Sequence, residues 1–520
     1  MRRLSLAVTA VAAGALVVGS AGAASAHSTR PSAPTAPSVP APVVTSPNVH
    51  LLTTLPNPNA ISGTFSRDGR YFYVSSSNAI SVYDVSNPRQ PVFKSTLPNL
   101  VFENESMTYG ERRLANGNLN RFVLVGVDLY DVTPTDVRRG NVRGKQVLVI
   151  DVSDPMNLHV DGRTPYSPTE TLPGALTTSS HTVQCVTLSC EYAYTAGSKG
   201  KFSIIDIRSD HDPKQVKEVA SPAAGANSIF VGGAGHYWDF DGTGRGWHTG
   251  SGGATVFDVR KPLNPVPVNA TNAKGISSPY NDFILHNSQR PNGSRFARGT
   301  PASLSNGNVL LVTEEDYFND GEEVACDKAG TIQTWYVPDF DGAAYRAGNP
   351  TGLPSKGNIR PLDISNVVAE FGGGASAPVG AFCSAHWFDY HQTGILAQGY
   401  YQQGLRFVDV RDPRNIKQYG YFTGGATEVW DAYWVPQRTS TGVSARKKSD
   451  IVYAVDFVRG IDVLEVDLPS KDLGAGAERT ASAPTGTAAA GHPAAVATAP
   501  ATLGLLVLSG AAALRRRMRG

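Results

Sequence analysis

This chain of 520 residues is poor in charge, at 17%, and holds only four cysteines. Its central part has no long amphipathic helical pattern, which removes helical bundles and layered α/β folds from consideration. There is no G-x-S-x-G, no glycine-rich phosphate loop and no dinucleotide fingerprint, so the chemistry those motifs support has no starting point here. The net charge of +2 is itself misleading. Arg2, Arg3, Arg515, Arg516, Arg517 and Arg519 sit at the two extremities, and without those six charges residues 27–500 stand at −4. A mildly acidic body lacks the electrostatic footprint of a nucleic-acid binder. No nucleic acid is expected as a partner.

What the chain does have is glycine (53), proline (35) and a recurring strand. Val147-Leu148-Val149-Ile150-Asp151-Val152-Ser153-Asp154-Pro155 is a β-branched, apolar run that ends in turn residues. Such a run suits a pleated, largely buried strand, and its Asp side chains can accept backbone N–H groups in an Asx-type turn. Strong relatives are Ser81-Val82-Tyr83-Asp84-Val85, Ser203-Ile204-Ile205-Asp206-Ile207, Thr255-Val256-Phe257-Asp258-Val259 and Arg406-Phe407-Val408-Asp409-Val410. Weaker copies end at Tyr336-Val337 and Glu465-Val466. The spacing runs from 52 residues (Asp206 to Asp258) to 78 (Asp258 to Tyr336), a repeat period that points to a propeller or an array.

These strands resemble the LVIVD repeat of bacterial and archaeal surface proteins. The resemblance covers roughly 45–470 and implies a β-propeller; it says little about activity. We therefore expect an all-β, seven-bladed propeller of four-stranded antiparallel blades over 47–469. Asp68-Gly69 marks a hairpin turn in blade 1. Blade 4 is expected to carry a long glycine-rich insertion over 239–253, and blade 5 an outer strand at 367–371. Blade 7, ending at Val466, lacks an outer strand of its own. Residues 48–54 are expected to supply it, which would leave no long sheet edge exposed.

The ends read as targeting segments. Residues 1–26 have a basic start, an apolar core and Ala24-Ser25-Ala26, the pattern of a secretory signal peptide. Residues 27–46 and 470–495 are expected to be disordered spacers. Residues 496–514 form an apolar stretch long enough for a transmembrane helix, and 515–520 are basic, as a cytoplasmic flank would be. The tail resembles a Gram-positive surface anchor, although Ser482-Ala483-Pro484-Thr485-Gly486 departs from a sortase motif at its first residue. Export and anchoring at the cell surface, by membrane or wall, follow from this reading. In an exported chain four cysteines favour two disulfides, and Cys185–Cys190 with Cys326–Cys383 is the preferred pairing of three possible ones.

Aligning the first strands of the blades brings His181, His286, His386 and Glu105 to similar positions beside the channel. Three imidazoles and a carboxylate suit a transition metal (Zn, Cu or Fe) with an open position. A distant similarity in style to propeller oxidases of the selenium-binding-protein type adds to the enzyme reading by analogy of fold, with no motif carried over. A second set of oxygen donors, Asp239 and Asp241 with Glu314, Glu315 and Asp316, is a candidate for Ca. The leading functional expectation is an exported binding module for an envelope or extracellular protein or glycan. The alternatives are an oxidase-like metalloenzyme using the histidines, and a structural surface protein.

Overall fold

The computed structural model describes residues 43–98, 104–114, 116–127, 145–167, 169–208, 216–224, 235–251, 253–271, 284–315, 318–319, 322–323, 330–340, 357–366, 384–438 and 444–474. These form seven four-stranded antiparallel sheets arranged as the blades of a propeller. Blade 1 is Ala60–Phe65, Tyr71–Ser76, Ala79–Asp84 and Val92–Pro98, from the axis outward. Blades 2 to 6 repeat this order. Among the described residues there is no α-helix, only two 3-10 turns at Gly293–Arg295 and Leu304–Asn306. No helix among them is long and apolar enough to cross a membrane; 1–26 and 496–514 lie outside the described residues.

The repeated Asp acts locally, as its chemistry dictates. In the five strong copies the carboxylate of Asp84, Asp151, Asp206, Asp258 or Asp409 accepts the N–H two residues on, at 2.8–3.1 Å. That bond stops the third strand and starts the turn to the fourth. The outer strand then carries one extra residue opposite the motif. Lys94, Asp161, Val219, Val268, Leu362 and Tyr419 are skipped in the pairing of blades 1 to 6. Such a bulge bends the edge strand and sharpens its twist.

Closure is achieved by the strand Val49–Leu55, which pairs antiparallel with Gly460–Val466 from Val49↔Val466 to Leu55↔Ile461. Leu52 is skipped there, so this N-terminal strand has the bulge of the six other outer strands. The cores agree. Seven clusters of buried apolar side chains each join two adjacent blades, the last one linking Phe72 and Val74 of blade 1 to Val435 and Tyr453 of blade 7. An open arc of seven blades would have six such interfaces.

Three expectations are corrected. The stretch 239–253 is no insertion, because Arg245–Gly250 is the second strand of blade 4. Its glycines read as loop but are demanded by packing: a Cβ on Gly246 would meet the Phe240 ring at 2.9 Å and Val259 at 3.0 Å. The outer strand of blade 5 is Arg360–Ser365, while 367–371 lie outside the described residues. Finally, the spacer expected to end at 46 ends earlier. Val43–Thr45 adds a fifth strand to blade 6 against Phe422, Thr423 and Gly424. The Cys185–Cys190 disulfide is present with Cα atoms 4.9 Å apart, and Cys326 and Cys383 lie outside the described residues.

The closing strand should dominate stability at this seam. Val49 is 1% exposed and Val92, on the outer strand of blade 1, is 55% exposed. Val49→Asp buries an unpaired carboxylate and should cost at least about 3 kcal/mol, against roughly zero for Val92→Asp, as read by urea unfolding.

Candidate metal centre

Five consecutive blades place one titratable side chain each at the start of the innermost strand. Glu105 precedes Met107–Arg113 of blade 2, and His181 precedes Val183–Cys185 of blade 3. His236 lies within Gly235–Phe240, His286 within Ile284–Gln289, and His386 precedes Phe388–Tyr390. Two of these positions are irregular in pairing. The register of blade 4 skips His236, and that of blade 5 skips His286 and Asn287. Bulges re-aim side chains, and here the imidazoles turn toward the axis. Gly235 makes room for this, since a Cβ there would lie 1.9 Å from the Ala196 carbonyl oxygen.

The Nε2 atoms of all four histidines converge on one oxygen. Glu105 Oε2 is 2.8 Å from His181, 3.1 Å from His236, 3.5 Å from His286 and 3.7 Å from His386. The Nε2 atoms of His181 and His236 are 3.1 Å apart. Glu315, at the end of the strand Val309–Glu315, approaches from another side at 3.9 Å from His236, His286 and His386. Only His181 has appreciable exposure, at 12% of its side chain.

Outer contacts fix the ring orientations. His236 donates Nδ1–H to the His286 carbonyl oxygen at 3.1 Å, and His386 donates Nδ1–H to the Trp430 carbonyl oxygen at 2.8 Å. Both rings therefore present Nε2 inward, the nitrogen left to bind a metal when the ring is neutral. Asp431 Oδ1 lies 3.2 Å from His386 Nδ1, and its other oxygen accepts the Tyr433 hydroxyl at 2.6 Å. Both ring nitrogens of His286 and Glu315 Oε2 are buried with no hydrogen-bond partner among the described residues. Burial, with His386 and His236 nearby, pushes the His286 pKa well below its usual value. Burial pushes His386 the same way, but Asp431, Glu105 and Glu315 overcome it and hold that ring well above the usual range. Burial raises the Asp431 carboxyl to about 6 despite its bond to His386.

One end of the centre is closed. Tyr237 and Trp387 follow His236 and His386 in their strands, and their rings meet at 4.6 Å although blades 4 and 6 are not neighbours. Tyr433 of blade 7 joins them at 6.1 Å from Trp387. This aromatic floor spans the channel.

All four residues singled out in the sequence for a transition metal thus come together. Two more were missed as members of the site. His236 had a readable signal, since His236-Tyr237-Trp238-Asp239-Phe240 parallels His386-Trp387-Phe388-Asp389-Tyr390 in residue type. Glu315 was grouped with its acidic neighbours as a calcium candidate. In the strand its neighbour Glu314 points to the opposite face, where it accepts from the Thr331 N–H at 3.2 Å. Asp316 lies outside the described residues. The other calcium candidate is filled by the protein's own cation. Asp241 Oδ2 accepts Arg290 Nε–H at 2.7 Å and Trp247 Nε1–H at 3.2 Å, and Asp241 Oδ1 accepts the Thr243 N–H and hydroxyl. Asp239 beside it is pushed up to about 8 by burial and by Asp241. Trp238, Trp247 and Trp434 are buried core residues.

A model of the LVIVD repeat matches residues 66–97 and 182–214, the motif strands of blades 1 and 3 with their surroundings. The other five blades repeat the same architecture. A comparison with curated proteins returns no match. Among solved structures, the chain is similar to the β-propeller domain of Myceliophteria thermophila Cps50 (Swd1). The TM-score is 0.48 at 10% identity, over 81% of this chain and 100% of that one.

Outside the centre, burial also pushes His391 down to about 4. A histidine near 6.5 in the unfolded chain and near 4 when folded takes up its proton only on unfolding, so stability is lost as pH falls through that window. For His391 this loss is about 2 kcal/mol between pH 7 and 5. Asp239 at about 8 and Asp456 at about 6 act in the opposite direction, so the diagnostic is a difference between proteins. On acidification, the urea stability of His391→Gln should rise relative to wild type by that amount; parallel curves would refute the shift.

Proposed function

We propose that this LVIVD-repeat propeller is an exported metalloprotein that holds one first-row transition ion on its axis. Its ligands are drawn from the four imidazoles and the Glu105 carboxylate, whose donor atoms meet in overlapping sets such as Glu105–His181–His236 and Glu105–His286–His386. The observation that carries this reading is the convergence of four Nε2 atoms within 3.7 Å of one carboxylate oxygen, with both nitrogens of His286 buried and unpartnered. Two donors bound to one ion at ~2.1 Å lie roughly 3.0–3.4 Å apart for right-angle to tetrahedral arrangements. The contacts of Glu105 and the His181–His236 pair fall near that range. As a purely structural cluster it would leave polar atoms buried without bonds, at a cost of about 1–3 kcal/mol each.

An imidazole-rich set suits copper, iron or zinc and does not suit calcium, which takes oxygen ligands. Once bound, the ion supplies Lewis-acid or one-electron chemistry at its open position. The chain's own residues orient the imidazoles through the Trp430 and His286 carbonyls, exclude water from the floor with Tyr237, Trp387 and Tyr433, and place a second carboxylate, Glu315, beside the site. An oxidase-like activity on a small molecule is the enzymatic form of this proposal.

Export rests on the signal-like segment 1–26 and is favoured by the Cys185–Cys190 disulfide, which belongs in an oxidising compartment. The apolar 496–514 and the arginines after it would anchor the chain at the surface. A second reading, an interaction module for an envelope protein or glycan, is favoured by the outer strand of blade 1, where Val92 and Phe93 are each 55% exposed.

Elemental analysis tests the main reading. Wild type should carry about one copper, iron or zinc per chain, and His286→Ala or His236→Ala should lose at least tenfold in affinity. Wild type without stoichiometric transition metal would sink the proposal. N-terminal sequencing of exported protein should begin at His27; a retained Met1 would remove the export reading.

A further inference from the structure

Glu105 and Glu315 flank the same imidazoles but stand at different distances. Glu105 Oε2 reaches His181 and His236 at 2.8 and 3.1 Å, as a fellow ligand would. Glu315 stays at 3.9 Å from each of His236, His286 and His386. Glu315 is thus the more distant of the two carboxylates, and it is engaged by a bond of its own. One of its oxygens is held and the other is left over. Oε1 accepts the hydroxyl of Tyr401, while Oε2 has no hydrogen-bond partner among the described residues.

The residue that holds it is unusual. Tyr401 is fully buried and has φ +45°, a left-handed backbone that glycine or asparagine adopts readily and a bulky aromatic residue does not. The conformation persists because the chain is clamped on both sides. Tyr401 N–H donates to the Val429 carbonyl at 2.8 Å, Val429 N–H donates back at 2.9 Å, and Gly404 N–H donates to Tyr401 O at 2.9 Å. The outcome of this clamp is a ring set against His386, 5.0 Å between centroids, with its hydroxyl aimed at Glu315.

We infer that Tyr401 is a positioning residue that fixes Glu315 as an outer carboxylate over the open position. This makes the position take a neutral, proton-bearing small molecule (water, an alcohol or a thiol) and disfavour anions. The inference rests on the metal-centre reading above. Among the inward-facing donors a divalent ion with Glu105 leaves one net positive charge, which attracts an anion; Asp431 stands on the other, Nδ1, side of His386. Glu315 cancels it at short range, and Oε2 accepts a hydrogen bond only from a ligand that has a proton to give.

The test uses full-length protein loaded with copper(II) and titrated with azide, followed by visible absorption. Glu315→Gln removes the charge and keeps the shape, so azide should bind at least tenfold tighter while copper stays near one per chain. Tyr401→Phe should tighten azide by a smaller factor, about threefold, with copper still near one per chain and a modestly lower thermal midpoint for the metal-free protein, since a buried Glu315 oxygen loses its donor. Equal azide affinity in wild type and Glu315→Gln overturns the inference. So does loss of copper from Glu315→Gln, because Glu315 would then be a ligand. A wild type that takes up no copper fails at the earlier step, the metal centre itself.

Discussion

Everything at the axis depends on the ring being closed by two ends of the folded chain. The strand Val49–Leu55 supplies the edge that Gly460–Val466 lacks, and it does so with the same one-residue bulge as the other six blades. Five blades contribute to the centre, one side chain each, and Glu315 and Tyr401 come from second strands and their turns. Their mutual distances are set by the packing angle between every pair of blades from 2 to 6. An open arc would be free to fan, and a change of a few degrees per interface would spread the imidazoles beyond reach of one ion. Closure therefore acts as the outermost support of the site, more than 400 residues apart in sequence.

The electrostatics of the centre make sense on the same terms. Three buried imidazoles, the partly exposed His181 and three buried carboxylates (Glu105, Glu315 and Asp431) cannot all take their preferred charge in a dry interior. Neighbouring rings respond in opposite directions: burial and the adjacent rings push His286 down, whereas the carboxylates around His386 push that ring up. A divalent ion near the point where the Nε2 atoms meet would offset the acids and would satisfy the His286 nitrogen that is otherwise unpaired.

The fold was more legible in the sequence than the site. The motif Asp carries a local instruction, a bond to the N–H two residues on, and local instructions survive any insertion between blades. The edge strand at 48–54 was legible for a related reason, since it resembles the outer strands it replaces. His236 was missed because Arg245–Gly250 reads as loop: its glycines are fitted to Phe240 and Val259 in space, which no local pattern reveals. Treating that segment as an insertion hid the fact that blade 4 begins at Gly235. Glu315 was misread because adjacency in sequence is separation in a strand. Glu314 and Glu315 face opposite sides of one sheet, so an acidic run that suggests a single cation site is two unrelated environments.

The position of the floor decides how the centre can be reached. Tyr237 and Trp387 directly follow ligand positions in sequence, and Tyr433 of blade 7 joins them, so the three rings close the channel beneath the ligands. A ligand cannot thread the propeller from that end. His181 is the one ligand with appreciable exposure, so solvent reaches the centre there. A centre floored by aromatic rings, with exposure only at His181 among its described ligands, favours small molecules over polymers. It also keeps bulk water from screening Glu315, so a single outer carboxylate has its full electrostatic weight at the open position.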